Sequence, residues 1–179
     1  MGASHLLECV IVSILFEPMR INNMVIDNRI IRSATMDNMG FQGMVTDSQV
    51  ELYRKLGEGG IGLVISHGLF PVVEGQASAG QLGVHEDAAV VSLQRLVVAV
   101  HAGGGKIAAQ ILHGGFRCRQ EVTGHQPVGP SARHIEGTAQ VVRELSVEDI
   151  HGLIDRYCQA ARRVVEAGFD AIQLHAAHS

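Results

Sequence analysis

Three times the chain runs from an amphipathic segment through a glycine stop straight into a short apolar strand. Glu58-Gly59-Gly60 precedes Ile61-Gly62-Leu63-Val64-Ile65-Ser66, Ala102-Gly103-Gly104-Gly105 precedes Lys106-Ile107-Ala108-Ala109-Gln110-Ile111, and Ala167-Gly168 precedes Phe169-Asp170-Ala171-Ile172-Gln173-Leu174. Glycine suits the position just past a helix because it takes φ > 0 with no Cβ to clash. Strands joined through helices lie parallel, and the crossover between them is right-handed. The repeat therefore leaves two architectures, an open doubly wound sheet or a β/α barrel.

The segments ahead of the stops carry helix signals. Ser146 is placed to cap a helix in which Ile150, Leu153, Ile154, Tyr157, Ala161, Val164 and Val165 recur on one face at the 3.6 period. Leu93, Leu96, Val97 and Val100 mark a second helix after Asp87, and Thr46-Asp47-Ser48-Gln49 reads as a capping box for a third carrying Leu52, Tyr53 and Leu56. A further strand is predicted over Arg29 to Met36. The polar clusters Ser33 to Met36, Ser66 to Gly68, Gln110 to His113 and His175 to His178 all fall at the C-terminal ends of strands. Barrels keep their chemistry there, which favours the barrel, although open sheets also use strand ends at their switch point. The segment from Gly114 to Leu145, with Gly124, Pro127, Gly129 and Pro130, reads equally as a functional lid or an ordinary surface excursion.

Composition narrows the function. A chain of 179 residues, 46% hydrophobic and 18% charged, fits one soluble globular domain. A net charge of −4 with scattered Arg and Lys offers no stripe for a phosphate backbone, so no nucleic acid is expected as a partner. Cys9, Cys118 and Cys158 are odd in number and widely spaced, which argues against a disulfide framework or thiolate zinc site and fits a reducing cytoplasm. The apolar run from Leu6 to Phe16 is interrupted by Glu8 and Ser13 and is too short to span a bilayer, so it reads as neither signal nor anchor and no membrane is expected.

Several segments stand out in order: Leu15-Phe16-Glu17-Pro18 with Asn28-Arg29, Arg32-Ser33-Ala34-Thr35, Glu74-Gly75-Gln76, Gln110-Ile111-Leu112-His113-Gly114-Gly115, Gly129-Pro130-Ser131-Ala132, Arg143-Glu144-Leu145-Ser146 and His175-Ala176-Ala177-His178. Together they resemble the Old Yellow Enzyme family. That family comprises FMN-dependent NAD(P)H oxidoreductases, including the enoate and 2,4-dienoyl-CoA reductase branch. The likeness runs from about Leu15 to the last residue, dividing the chain into an N-terminal extension, 1–14, and the N-terminal half of an FMN-binding β/α barrel, 15–179. The resemblance implies an (β/α)8 TIM barrel with FMN across its C-terminal mouth, of which this chain holds about the first four β/α units. A full barrel takes about 250 residues, so the outer strands are expected to be open edges. The implied activity is that of an ene-reductase. Hydride passes from NADH or NADPH through FMN to an activated alkene of a small enone or enoyl substrate, with little turnover expected from this chain alone.

The resemblance also assigns residues. It lays the backbone of Ser33, Ala34 and Thr35 against the flavin ring and sets Met36, which lacks a strong hydrogen-bond donor, at the reactive edge. His67 occupies a place of close approach where a bulky imidazole would crowd the cofactor unless Gly68 takes over the approach by a local shift. Gln110 grips the flavin pyrimidine, since one amide both donates and accepts. His175 and His178 together hold the substrate's carbonyl or nitro oxygen with two N–H donors, His175 also lying against the flavin. Phe116 stands where relatives have arginine, with Arg117 displaced by one. The family's tyrosine proton donor, an arginine on the flavin and the phosphate-binding turns are expected beyond Ser179. Outside the resemblance two other readings stand. One is a metal site of His113, His175 and His178. The other is a non-catalytic half-barrel that pairs its open edges with another copy, or with a complementary half-barrel.

Overall fold

The computed structural model describes residues 13–178. The extension expected over 1–14 therefore lies almost wholly outside the described residues, as do Cys9 and most of the apolar run from Leu6. A hairpin of β1 (Met19–Ile21) and β2 (Met24–Ile26) comes first, turning through Asn22 at φ 51°. There follow β3 (Ile31–Arg32), α1 (Asp47–Glu58), β4 (Leu63–Leu69), α2 (Ala88–Ala102) and β5 (Lys106–Ile111). An excursion then carries a short helix α3 (Gln120–Thr123) and strands β6 (Val128–Gly129), β7 (Arg133–His134) and β8 (Val141–Glu144), before α4 (Val147–Glu166) and β9 (Ala171–Leu174).

The main sheet is parallel with the order β3-β4-β5-β9. A doubly wound sheet reverses its strand order at a switch point, and this one does not, so its crossover helices stay on one face as in a barrel wall. That face holds the larger core, including Tyr53, Val64, Leu69, Leu93, Leu96 and Val164. On the opposite face Leu63 and Ala108 pack on Ile26, with Met24, Ile65 and Ala171 beside them. The β1–β2 hairpin thus floors the inner surface of the curved sheet.

Local signals in the sequence account for most of the elements. Gly60, Gly104 and Gly168 follow α1, α2 and α4 with φ of 72°, 83° and 91°, the left-handed backbone that ends a helix cheaply in glycine alone. Thr46 with Gln49 and Ser146 with Asp149 form complete capping boxes at the starts of α1 and α4. The excursion is ordered as a small sheet, β6-β8-β7.

Two expectations are corrected. The strand predicted over 29–36 is only Ile31–Arg32, paired with Leu63 and Val64. Beyond it Asp37 Oδ1 accepts from Met39 N at 3.2 Å, and Asn38 takes φ 54°, so the chain turns out of the sheet. On α4 the expected apolar face is split. Ala160 and Val164 are buried, whereas Ile150, Ile154 and Val165 are exposed. The reason is the neighbouring edge: β9 pairs with β5 on one side, and among the described residues no strand lies on its other side.

Candidate active site

The sheet register aligns the polar residues in one row. Gly68 lies opposite Gln110, and Gln110 opposite Gln173. The Gln110 backbone N–H donates to Ser66 Oγ at 3.2 Å, and its side-chain Nε2 donates to Gln173 Oε1 at 2.7 Å. This pairing leaves Gln110 Oε1 as an acceptor and Gln173 Nε2 as a donor for a further partner. Gln173 was not singled out in the sequence. Its signal was its position on the strand just ahead of His175, where the register sets it opposite Gln110.

His175 and His178 stand just past β9. The His175 backbone N–H donates to Ile111 O at 3.0 Å, which extends the parallel ladder by one step. The two rings stack with centroids 4.8 Å apart, and His178 Nδ1 lies 2.7 Å from His175 Nε2. They therefore share one N–H between them instead of aiming two at a common oxygen, as the sequence suggested. In the neutral pair one outward N–H and one outward acceptor nitrogen remain. Partial burial, then the neighbouring His178, holds the His175 imidazole below the usual histidine range.

A cavity of about 390 Å³ opens against this pair, lined by Leu112, His113, Gly114, Arg117, His175 and His178 among others. Arg117 Nε donates to the carbonyl of His178 at 3.3 Å and so ties the strand end to the excursion. His113 accepts from Gly115 N on Nδ1 at 2.9 Å, and burial lowers its pKa, so it serves as a neutral wall. A larger cleft of about 480 Å³ opens between the excursion and the start of α4, and shares only His113 with this cavity. The row of strand-end residues does not reach it. Cys118 is sealed away, with burial pushing its thiol up to about 11.

On the β3 side, Ser33 and Thr35 are exposed and Met36 is 38% exposed, so this segment is open to a ligand. Thr35 Oγ1 donates to Ser33 O at 3.1 Å. The His67 side chain is turned from this end of the sheet. Its ring is fully buried, with Nε2 accepting from Leu82 N at 3.2 Å and Nδ1 3.1 Å from Asp37 Oδ1, so it cannot crowd a cofactor. The cause is a register shift in β4 between Ile65 and Gly68, which re-aims the side chains that alternation would send inward. The structure thus gathers Ser33, Ala34, Thr35, Met36, Gly68, Gln110, His175 and His178 at one end of the sheet and turns the His67 ring away. Among the described residues no three His, Cys, Asp or Glu side chains converge as a metal site, so the reading built on His113, His175 and His178 has no ligand set.

These features define a class: a parallel β/α wall of barrel type with polar side chains converging on the C-terminal ends of its strands. Residues 14–179 match the NADH:flavin oxidoreductase / NADH oxidase family, and the chain belongs to that family, the Old Yellow Enzyme group. It is 34% identical over 166 residues to the probable NADH-dependent flavin oxidoreductase YqiG of Bacillus subtilis, covering 92% of this chain and 44% of that protein. It is 35% identical over 169 residues to an NADH oxidase of Thermoanaerobacter brockii, covering 92% of this chain and 26% of that protein. Among solved structures, morphinone reductase in complex with tetrahydroNAD superposes with a TM-score of 0.85 at 29% identity, over 91% of this chain and 49% of that one. The Old Yellow Enzyme homologue from Zymomonas mobilis gives 0.83 at 32% identity, over 90% and 48%. The chain thus spans less than half the length of these relatives, and matches the N-terminal part of their barrels.

Proposed function

We propose that this chain forms the ring-side half of an FMN site in an NAD(P)H oxidoreductase of the ene-reductase type. The carrying observation is the Gln110–Gln173 amide pair set one strand end away from the His175–His178 pair. A flavin pyrimidine presents alternating carbonyl and N–H groups, and the free Oε1 of Gln110 with the free Nε2 of Gln173 match that alternation. The exposed backbone of Ser33 to Met36 would lie along the ring, with Met36 at its reactive edge and Gly68 allowing close approach. When bound, FMN supplies hydride transfer from a reduced nicotinamide to the β carbon of an electron-poor alkene. The His175–His178 pair holds the substrate's carbonyl or nitro oxygen in the adjoining cavity and draws electron density toward it. Arg117 fixes the backbone that carries this pair. Free thiols at Cys118 and Cys158 suit a reducing cytoplasm.

Because, among the described residues, no strand pairs with the outer edges of β3 and β9, the wall surrounds a flavin on one side only, and the chain by itself should hold FMN weakly and turn over slowly. The test is an FMN fluorescence titration of the purified chain. Measurable quenching is expected, weakened about tenfold by Gln110→Ala, as loss of a paired amide implies. Absence of quenching by the parent chain, or identical titrations for both, overturns the reading. The same open edges, with Ile31 42% and Leu174 65% exposed, favour a second reading in which copies pair edge to edge. Light scattering that returns a monomer mass at all concentrations removes it.

A further inference from the structure

The four residues from Ser33 to Met36 have left the sheet, since β3 ends at Arg32, and within the described residues their backbone makes no hydrogen bond to another segment. The first firm attachment after them is Asp37. Its side chain is only 6% exposed. Oδ1 accepts from Gln49 Nε2 at 2.9 Å and from Met39 N at 3.2 Å, and lies 3.1 Å from the buried His67 Nδ1. Gln49 is itself fully buried at the start of α1, and its Oε1 accepts from Thr46 N at 3.3 Å, so the carboxylate is tied into the helix cap. His67 is fixed from two further directions. Its ring accepts from Leu82 N, and its backbone N–H donates to Tyr53 Oη at 3.3 Å. Nε2 is taken up by Leu82 N, and Nδ1, buried with no hydrogen bond of its own, faces the Asp37 carboxylate at 3.1 Å.

We infer that Asp37, seated on Gln49 and His67, is a positioning residue: it clamps the free segment Ser33–Met36 at the mouth of the sheet and sets where Met36 stands. The inference rests on the proposed flavin role of that segment for its meaning but not for its geometry. None of the three side chains touches the candidate ligand cavity beside His175. They act through the backbone they hold.

Among the described residues no other contact fills this role. The turn after Asp37 is stitched to the rest of the fold by Ser78 Oγ donating to Asn38 Oδ1 at 2.5 Å and by Gly40 N donating to Gly80 O at 2.9 Å, but both contacts lie downstream of the clamp. Upstream, β3 offers two paired residues. Asp37 is thus the near anchor of an otherwise unsupported strand end.

The experiment compares the full chain with Asp37→Ala, Asp37→Asn and His67→Ala by backbone NMR relaxation, and follows added FMN by absorption. In the parent, amide order parameters at Ala34, Thr35 and Met36 should sit near the rigid value of about 0.85. In Asp37→Ala they should fall below about 0.6 while those of α2 and β5 hold. Asp37→Asn keeps the Oδ1 acceptor and should recover most of the rigidity, and His67→Ala should fall between. With FMN, Asp37→Ala should shift the visible maximum of the bound flavin and weaken binding about tenfold, with Asp37→Asn again restoring both. Unchanged order at 34–36 in Asp37→Ala, or a loss spread equally over α2 and β5, overturns the clamp. If the parent takes up no FMN, the flavin reading falls while the order parameters still decide the clamp.

Discussion

His175 and His178 bond to each other at 2.7 Å, and the consequence is a ligand affinity that depends on protons. Neutral, the pair turns one N–H and one bare nitrogen outward. Adding a proton to His175 makes both outward nitrogens donors, an arrangement suited to a ligand oxygen. Burial and His178 depress the His175 pKa, so this proton arrives only below the ordinary value of 6.5. We predict that affinity for a small carbonyl ligand in the adjoining cavity rises as pH is lowered from about 8 to about 5.5, and that His178→Ala flattens the curve. Ligand-observed NMR across that range checks it; an affinity independent of pH in the parent would refute it. The strand-end positions of Gln110, His175 and His178 were legible in the sequence pattern, and their roles came only from the family resemblance. The aim of the His67 side chain was not settled there. Alternation from Leu63 and Ile65 sends it inward, and the register shift before Gly68, foreseen only as one of two alternatives, sends it away.

At the level of elements, α1 and α2 meet through glycine. A Cβ on Gly57 would lie 2.7 Å from Val100 O, and one on Gly103 would lie 2.3 Å from the Gly57 carbonyl carbon. The two helices therefore approach through backbone, closer than side chains would allow. Gly57→Ala should force them apart and cost about 1–3 kcal/mol, read as a lower urea midpoint with an unchanged slope, despite alanine's better helix propensity. A neutral or stabilising effect would contradict the close approach. The helices and β5 could be placed from the sequence because caps, glycine stops and the 3.6 period are local. The length of β3 could not, since it depends on Asp37 finding Gln49 and His67, contacts 12 and 30 positions away that no window reveals. The exposed half of α4 was equally invisible: periodicity reports an apolar face but not whether anything covers it.

Across the whole molecule, stability should fall on mild acidification. Burial is the first cause that holds both His85 and His113 below the ordinary histidine value of 6.5. The unfolded chain then takes up protons below that value that the folded chain resists, so stability is full above pH 6.5 and declines as pH drops toward the folded pKa values. Urea midpoints at about pH 7.5 and about pH 5 measure this, and His113→Gln should narrow the difference; equal midpoints in the parent would refute it.

The hairpin of β1 and β2 seals the inner surface at the opposite end of the strands from the amides and imidazoles. Anyone redesigning this scaffold therefore has two separate dials. Repacking around Ile26 and Met24 sets how firmly the bowl is bottomed, while exchanges at the rim decide what the bowl accepts, and neither adjustment need disturb the other.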